Sequence, residues 1–160
     1  DVTYLGLAEC DPAGNINVSK FGTNVAGCGG FINISQNTQN CIFCGTFTAG
    51  GLKTKVEDGK LVIVQEGKKK KFISAVEQVT FSGDYAREKG QNVKFITERC
   101  VIELLKDGLT VTEIAPGIDL QTQVLDQMEF TPLVSENLKL MDARIFTDAV
   151  MGIKDEILAK

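Results

Sequence analysis

The chain has 160 residues, of which 43% are hydrophobic and 24% charged, and its formal net charge is −4. These values fit one globular domain with a sizeable core. They argue against a nucleic-acid-binding surface, which needs a basic face. The sequence contains no histidine, which excludes Ser–His and Cys–His catalysis and most zinc sites.

No apolar stretch approaches the ~20 residues of a membrane span, and no signal peptide is recognisable. Five cysteines, an odd number, are scattered through the chain. They indicate reduced thiols in a cytoplasmic protein rather than a disulfide framework. The chain begins with Asp1, almost inside a predicted strand, so we expect it to be a piece of a longer protein.

The first predicted elements are two strands joined by a turn. Residues 1–7 are predicted to form a buried strand. Proline and glycine within residues 9–15 indicate a turn. Apolar and polar residues then alternate over residues 16–21, which predicts a second strand.

Three glycines occur within the four residues 27–30, in the sequence GCGG. Glycine permits positive φ and leaves the backbone bare. The apolar residues that follow predict a helix of about two turns over residues 31–39. The first N–H groups of such a helix have no partner inside it, so the turn can bind an anion or a developing oxyanion. The same turn can also serve only to pack the helix closely against a strand.

Residues 41–47, CIFCGTF, have the β-branched and aromatic content of a strand. Ala49, Gly50 and Gly51 follow as a second bare loop. Turn, helix, strand and turn make half of an α/β unit, with both glycine loops expected at one edge of the sheet.

The remaining predictions are hairpins, short helices and a tail. Asp58-Gly59 and Asp107-Gly108 are strong hairpin signals, and Ser82 and Asp119 can cap helices. In chain order we predict a hairpin over residues 52–67, a strand over 72–81, a helix over 85–89, a hairpin with arms 93–105 and 109–114, a helix from 120, an extended piece near 130–133 and a helix over 142–158.

Several of these blocks resemble the second half of a family I coenzyme A transferase. The likeness is greatest to the single-chain acetate/propionate and short-chain acyl-CoA transferases. A lone GxGG is a weak signal, but five blocks in the same order are strong. The blocks are GCGGFINISQN with FCGTFTAGG, DVTYLG at 1–6, GNINVSKFG at 14–22, ITERCV at 96–101 and LMDARIF at 140–146.

The resemblance implies a mixed open α/β sheet with helices on both faces, of the CoA-transferase-like kind, with added β-hairpins. It implies that residues 1–160 are one domain, the C-terminal part of the enzyme, and that residues 135–160 form a helical tail.

The resemblance also implies an enzyme that moves CoA between a short-chain acyl-CoA and a free carboxylate. The acyl group is acetyl, propionyl, butyryl or ketoacyl. A glutamate upstream of this chain would attack the thioester and become a glutamyl-CoA thioester, so this piece alone is expected to be inactive. CoA is a substrate, and no tightly bound cofactor or metal is expected. The expected partners are acyl-CoA, short-chain carboxylates, the N-terminal half and further copies in a homo-oligomer, with no nucleic acid and no membrane.

The residues implied to be functional belong to the two glycine loops. Gly30, together with Gly29, would donate backbone N–H groups to the oxyanion, and one such donor is typically worth ~3 kcal/mol. The implied CoA-binding positions are Ala26, Gly27, Cys28, Gly30, Gly50 and Gly51. Two of them depart from the family, because some relatives carry asparagine at the position of Ala26 and lysine at that of Gly50.

Cys41 and Cys44 lie three residues apart on a predicted strand, which places their side chains on opposite faces. With no second such pair and no histidine, we interpret them as structural thiols that bind no zinc and form no disulfide. Cys28 is the thiol expected near the substrate. The lysines of residues 68–71 are interpreted as a solvated loop, with contact to CoA phosphates as the alternative.

Two glutamates invite comparison with the nucleophile of the family. Glu136, in Ser135-Glu136-Asn137, lacks the family's following glycine and comes after the glycine turn, so we interpret it as part of a polar linker. Glu9 lies at a turn entry and lacks the motif as well.

Two other functions remain open at the level of sequence. One is a non-catalytic CoA-binding or assembly domain of the same fold. The other is a sugar-phosphate isomerase or deaminase on a related sheet, although few carboxylates near residues 27–30 could serve its acid–base chemistry.

Overall fold

The computed structural model describes residues 1–159, and these form fourteen strands and four α-helices. The strands are β1 (Val2–Gly6), β2 (Glu9–Cys10), β3 (Ile16–Asn17), β4 (Lys20–Phe21), β5 (Asn24–Val25), β6 (Asn40–Cys44), β7 (Thr48–Ala49), β8 (Lys53–Glu57), β9 (Lys60–Gln65), β10 (Lys69–Lys70), β11 (Asn92–Ile96), β12 (Cys100–Leu105), β13 (Gly108–Ile114) and β14 (Leu133–Leu140). The helices are α1 (Phe31–Asn37), α2 (Gly83–Lys89), α3 (Leu120–Gln123) and α4 (Lys154–Leu158), with short 3₁₀ helices at Leu125–Gln127 and Ala143–Phe146.

A six-stranded sheet in the order β1-β6-β11-β12-β13-β14 organises the fold. Strands β1, β6 and β11 are parallel, β11, β12 and β13 are antiparallel, and β14 runs parallel to β13. Two-stranded ribbons are added, the longest being the hairpin β8–β9. The predicted mixed α/β fold with added hairpins is confirmed.

The core is built on a chain of phenylalanine rings. Phe43 of β6 contacts Phe31 of α1 at 5.8 Å between ring centroids, Phe81 at 4.9 Å and Phe95 of β11 at 5.6 Å. Cys41 lies on the same face of β6, where its thiol donates to the carbonyl oxygen of Ser35 in α1. Helix α1 therefore packs on this face, and its first turn lies at the carboxyl edge of β6.

Most local predictions hold. The hairpin around residues 58–59 forms, and α1 ends two residues before its predicted end. Helix α2 begins at Gly83, two residues before its predicted start, and Ser82 caps it by accepting from Tyr85 N. Asp119 caps α3, which is only one turn long.

Five predicted strands differ from the structure. Residues 16–21 form two separate strands, β3 and β4, because the side-chain oxygen of Asn17 accepts from the N–H groups of Ser19 and Lys20 and turns the chain. The strand predicted over residues 41–47 is β6, which ends at Cys44. Residues 1–7 form a strand, but β1 is an edge strand with Tyr4 67% exposed, so it is not buried. Residues 72–81 are no strand, because Phe72 and Phe81 are buried anchors that each make a single bridge. The arm 93–105 is two strands, because the Thr97 hydroxyl accepts from two backbone N–H groups and closes a turn.

The C-terminal predictions are wrong in two places. Residues 135–140 belong to β14 rather than to a polar linker or a helical tail, because β14 pairs with β13 on both sides of an irregularity, through residues 133–134 and 139–140. The helix predicted over 142–158 is only the 3₁₀ turn Ala143–Phe146 and α4. Phe146 is buried, whereas Val150 is 95% exposed and Gly152 has φ +66°, so no continuous apolar face holds this segment.

The start of α2 gives a test of this packing. A Cβ at Gly83 would overlap the carbonyl oxygen of Ala13. We expect Gly83→Ala to lower the free energy of unfolding by about 1–3 kcal/mol or more, because the backbone must move. Urea unfolding at pH 7 measures this loss. Gly6→Ala is the control, since its Cβ would meet nothing within 4 Å. Equal stability of the two variants would contradict the close approach.

Candidate functional site

The glycine turn has the bare backbone that the sequence predicts. Gly27 has φ +79° and Gly29 has φ +50°, a region that strongly favours glycine. Gly30 has φ −85° and is the N-cap of α1, so positive φ is confined to the two earlier glycines. The turn is held at one end by the Ser19 carbonyl, which accepts from the N–H groups of Ala26 and Gly27.

The N–H groups of Gly29 and Gly30 donate to no acceptor within residues 1–159, and both residues are exposed. The carbonyl of Gly30 accepts from Ile34 N as α1 begins. The helix thus uses the acceptors of the turn and leaves its donors free. These donors are available to an oxygen of a ligand.

A cavity of about 170 Å³ opens beside the turn, with Gly27, Cys28 and Val25 in its wall. It adjoins a groove of about 430 Å³ that runs between α1 and residues 79–85. Both are lined by Ile32, Val79 and Thr80. Cys28, which lines the smaller cavity, is half-buried.

The second glycine loop is a separate feature. Gly50 has φ +78° and Gly51 φ +101°, and the Gly50 carbonyl accepts from Lys68 N where β7 pairs with β10. Neither glycine lines the cavity beside Cys28. Of the predicted site residues, only Gly27 and Cys28 line this cavity; Ala26, Gly29 and Gly30 are their neighbours in the turn, and Gly50 and Gly51 belong to a separate loop.

Sequence reasoning missed a buried ion-pair cluster around Arg99. Its guanidinium is fully buried and donates to both oxygens of Glu66, at 2.7 and 3.0 Å, and to Glu98 at 2.6 Å. The group also lies over the Phe47 ring, 5.0 Å from its centroid, and Thr48 donates to Glu66. The only signal for it was a charged pair, Glu98-Arg99, inside an otherwise apolar strand region.

The ion pairs shift the pKa values of the groups involved. Partial burial raises the pKa of Glu66, but hydrogen bonds from Arg99 and Thr48 outweigh it, so the net pKa lies below its ordinary value of 4.5. Burial lowers the pKa of Arg99, but its hydrogen bonds to Glu66 and Glu98 raise it overall. Both groups stay charged at neutral pH.

The lysines of residues 68–71 do not form a simple solvated loop, which corrects the prediction. Lys69 and Lys70 form β10, and the Lys70 ammonium donates to the carbonyls of Asp126 and Met128. Lys71 is buried and donates to the Thr46 carbonyl at 2.7 Å. Burial lowers the pKa of Lys71, and the negative charge of Glu98 acts in the opposite direction without outweighing it.

Neither candidate glutamate has the setting of a nucleophile. Glu136 is exposed on β14. Glu9 accepts from the Asn17 amide at 2.9 Å. The lining of the cavity beside Cys28 includes neither of them.

Cys41 is buried and Cys44 exposed, as opposite strand faces require. Burial raises the pKa of Cys41. Within residues 1–159 no group of three or more carboxylates and thiols is placed to hold a metal ion. Over the same residues, no helix has the length and apolar character needed to span a membrane.

Comparison with known proteins gives the class. No family model matches the chain. Its sequence is similar to a segment of two CoA-transferases, and its fold matches a segment of a solved acyl-CoA transferase. This confirms the resemblance seen in the glycine-turn blocks.

The relatives can be named. The chain is 57% identical over 152 residues to acetate CoA-transferase YdiF of Escherichia coli K12, covering 95% of this chain and 29% of that protein. It is 53% identical over 165 residues to caffeate CoA-transferase of Acetobacterium woodii, covering 100% of this chain and 31% of that protein. The chain thus spans about 30% of the length of these relatives.

Solved structures agree. The acyl-CoA transferase YdiF of E. coli O157:H7, in a thioester complex with CoA, matches with a TM-score of 0.93 and 56% identity, over 95% of this chain and 30% of that one. Glutaconate CoA-transferase of Acidaminococcus fermentans matches with a TM-score of 0.63 at 19% identity, over 89% of this chain and 53% of that one. The second match supports the fold alone.

The thiols provide one test of the site description. We expect Cys28 and Cys44 to react with Ellman's reagent in the folded chain, because they are not buried. Cys10, Cys41 and Cys100 should react only after unfolding, since burial also raises their pKa values, that of Cys100 to about 12. The measurement is the labelling time course in buffer and in denaturant, with mass spectrometry to assign the sites. Labelling of Cys41 as fast as Cys44, or stoichiometric zinc after dialysis, would contradict the assignment.

The Arg99 cluster gives a pH-dependent test. Because folding lowers the pKa of Glu66, its contribution to stability is present above pH 4.5 and is lost as pH falls through the lowered value. We expect Glu66→Gln to reduce the free energy of unfolding at pH 7 by about 2–3 kcal/mol, less than for a fully buried pair because Glu66 is partly exposed.

Urea unfolding at several pH values checks this expectation. The variant should also lose less stability on acidification than the unmodified chain. Glu57→Gln is the matched control, because Glu57 pairs with Lys55 on the surface and should change stability little. If both variants behaved alike, the buried pair would not hold this part of the fold.

Proposed function

We propose that this chain is the part of a CoA-transferase that stabilises the oxyanion during transfer of CoA between an acyl-CoA and a carboxylate. Gly30, with Gly29, supplies the backbone N–H donors. The proposal is carried by two exposed residues whose N–H groups bond to no acceptor among residues 1–159. They directly follow Gly27 and Cys28, which line a cavity, within a segment similar to CoA-transferases.

The proposed reaction begins when a glutamate carboxylate attacks the thioester carbonyl. The carbonyl oxygen becomes an oxyanion, the C–S bond breaks, and an acyl-glutamyl anhydride and CoA thiolate result. The thiolate then attacks the glutamyl carbonyl of the anhydride, which releases the carboxylate and leaves a glutamyl-CoA thioester. The same steps in reverse, with the second carboxylate, form the new acyl-CoA. Each addition creates an oxyanion that a fixed N–H donor can stabilise without reorganisation.

The nucleophilic glutamate belongs, in this proposal, to a part of the enzyme upstream of residue 1. Glu9 and Glu136, the two candidates within the chain, do not line the cavity beside the turn. The chain alone is therefore expected to be inactive.

Contact with CoA is proposed for the backbone of both glycine loops: Ala26, Gly27, Cys28 and Gly30 in the first, Gly50 and Gly51 in the second. Each loop presents exposed backbone that a ligand can approach. A CoA molecule that contacts both must extend from one glycine loop to the other.

The substrates and partners follow the relatives. An acetate CoA-transferase and a caffeate CoA-transferase are both more than 50% identical to the chain, which supports an acyl-CoA and a carboxylate as substrates. We further propose that the chain works with an N-terminal counterpart, in a homo-oligomer, in the cytoplasm. The scattered reduced cysteines support that compartment.

The glycine turn can be tested in a chimaera in which this chain replaces the matching segment of E. coli acetate CoA-transferase. We expect Gly30→Val to lower kcat and kcat/KM by ~10²–10³, because the branched side chain blocks the approach of the thioester oxygen to the N–H. A Cβ at this position would lie 3.5 Å from Ile34 Cδ1, an ordinary contact, and φ is negative, so folding should suffer little.

Steady-state kinetics with acetyl-CoA and propionate, beside thermal melts, measure the effect. Gly30→Ala is the milder control. The 160-residue chain alone should show no turnover. A near-normal kcat in a folded Gly30→Val chimaera would mean that the turn serves only to pack the helix against the sheet. Turnover by the chain alone would make Glu9 or Glu136 a candidate nucleophile again.

A further inference from the structure

We propose that the groove along α1, with Ile32, Val79, Phe81 and Tyr85 in its wall, binds the acyl chain of the thioester. The inference rests on the proposed function and adds to it the part of the chain that selects the acyl group.

The groove is continuous with the glycine turn. The 170 Å³ cavity beside Gly27 and Cys28 and the 430 Å³ groove share Ile32, Val79 and Thr80 as lining residues. An acyl carbonyl at the turn therefore has an open path for its chain along α1. From Gly30 to Gln36 this path is about 9 Å long at the helical rise per residue.

The chemistry of the lining suits an apolar ligand. Among residues 1–159, no charged residue lines either cavity. The buried polar groups are already paired: Thr80 Oγ1 lies 2.8 Å from Ser19 Oγ, and Ser35 Oγ donates to the Ile32 carbonyl. An apolar chain would leave no buried polar group unpaired, whereas a phosphate or carboxylate would find no counter-charge.

The apolar side chains of the groove are unusually open to solvent. Val79 is 52% exposed, Ile32 40% and Tyr85 36%. They line one surface that starts at the turn, and clustered exposed apolar groups mark binding sites more often than scattered ones. An acyl chain in this groove would cover them.

The anionic end of the substrate must lie elsewhere. A different cavity of about 430 Å³, between the end of β1 and β10, is lined by three lysines, Lys69, Lys70 and Lys71, and by one carboxylate residue, Glu9. The charged cavity suits the anionic end of an acyl-CoA, whereas the groove, which has no charged lining residue, suits its apolar end.

The test uses the 160-residue chain itself, with methyl-labelled isoleucine and valine, and two probes. These are S-hexanoyl-N-acetylcysteamine and S-acetyl-N-acetylcysteamine. NMR titration should shift the methyl signals of Ile32 and Val79 with the hexanoyl probe. The hexanoyl probe should bind about tenfold more tightly than the acetyl probe, because its added methylenes are partly buried.

Val79→Phe fills the groove and should bring the hexanoyl affinity down to that of the acetyl probe. Val56→Phe is the matched control, since Val56 is 48% exposed on β8, away from the groove. Both positions are open to solvent, so neither variant is expected to unfold the chain.

The outcomes separate this inference from the proposed function. No shift at Ile32 and Val79, equal affinity for both probes, or equal effects of the two phenylalanine variants would overturn the acyl groove, whether or not the chimaera is active. Shifts at the groove with an inactive chimaera would contradict the proposed function and leave the groove as a binding site for apolar chains.

Discussion

The buried guanidinium of Arg99 is the interaction on which the carboxyl edge of the sheet depends. A charge taken fully out of water is tolerated only when it is paired and hydrogen-bonded. Glu98 supplies one partner from the same turn, and Glu66 supplies a bidentate partner from the end of β9. The Gln123 carbonyl accepts a further bond from α3. One side chain thus ties the sheet, the hairpin β8–β9 and α3 together.

That edge fixes the loops that surround the candidate site. Glu66 accepts from Thr48, and Glu98 accepts from Phe47 N at 2.8 Å, so the segment leading to Gly50 is held by the Arg99 cluster. The glycine turn is fixed independently, by Ser19 at one end and by Phe31 packed on Phe43 at the other. The free N–H groups of the turn consequently lie between two anchored ends, and an oxyanion site requires donors that are held in place.

Much of this was predictable from sequence because it is local. The glycine turn, the start of α1 and the Asp-Gly hairpin follow from the backbone preferences of a few neighbouring residues. The resemblance to a known family, seen in sequence blocks that occur in the same order, predicted the mixed sheet and suggested the role proposed for Gly30. The edge position of β1 was not predictable, because exposure of Tyr4 depends on what lies beside the strand rather than on its own pattern.

The parts that sequence could not supply depend on distant residues. The Arg99–Glu66 pair joins positions 33 residues apart, and the groove along α1 depends on Val79, far along the chain from Ile32. Residues 72–81 were predicted to be one strand, but Phe72 and Phe81 are buried in the core and each makes only a single bridge. Residues 142–158, predicted to be one helix, form no long helix, because Phe146 is the only one of their apolar side chains that is buried in the core.

The most direct measurement of the central claim removes the N–H of Gly30 and nothing else. In the chimaera, semisynthesis can replace Gly30 by glycolic acid, which exchanges the amide N–H for an ester oxygen without adding a side chain. We predict that kcat with acetyl-CoA and propionate falls by ~10²–10³ while the thermal melt is nearly unchanged, because this N–H bonds to no acceptor among residues 1–159. An ester variant that turns over at the rate of the unmodified chimaera would show that the Gly30 N–H is not an oxyanion donor.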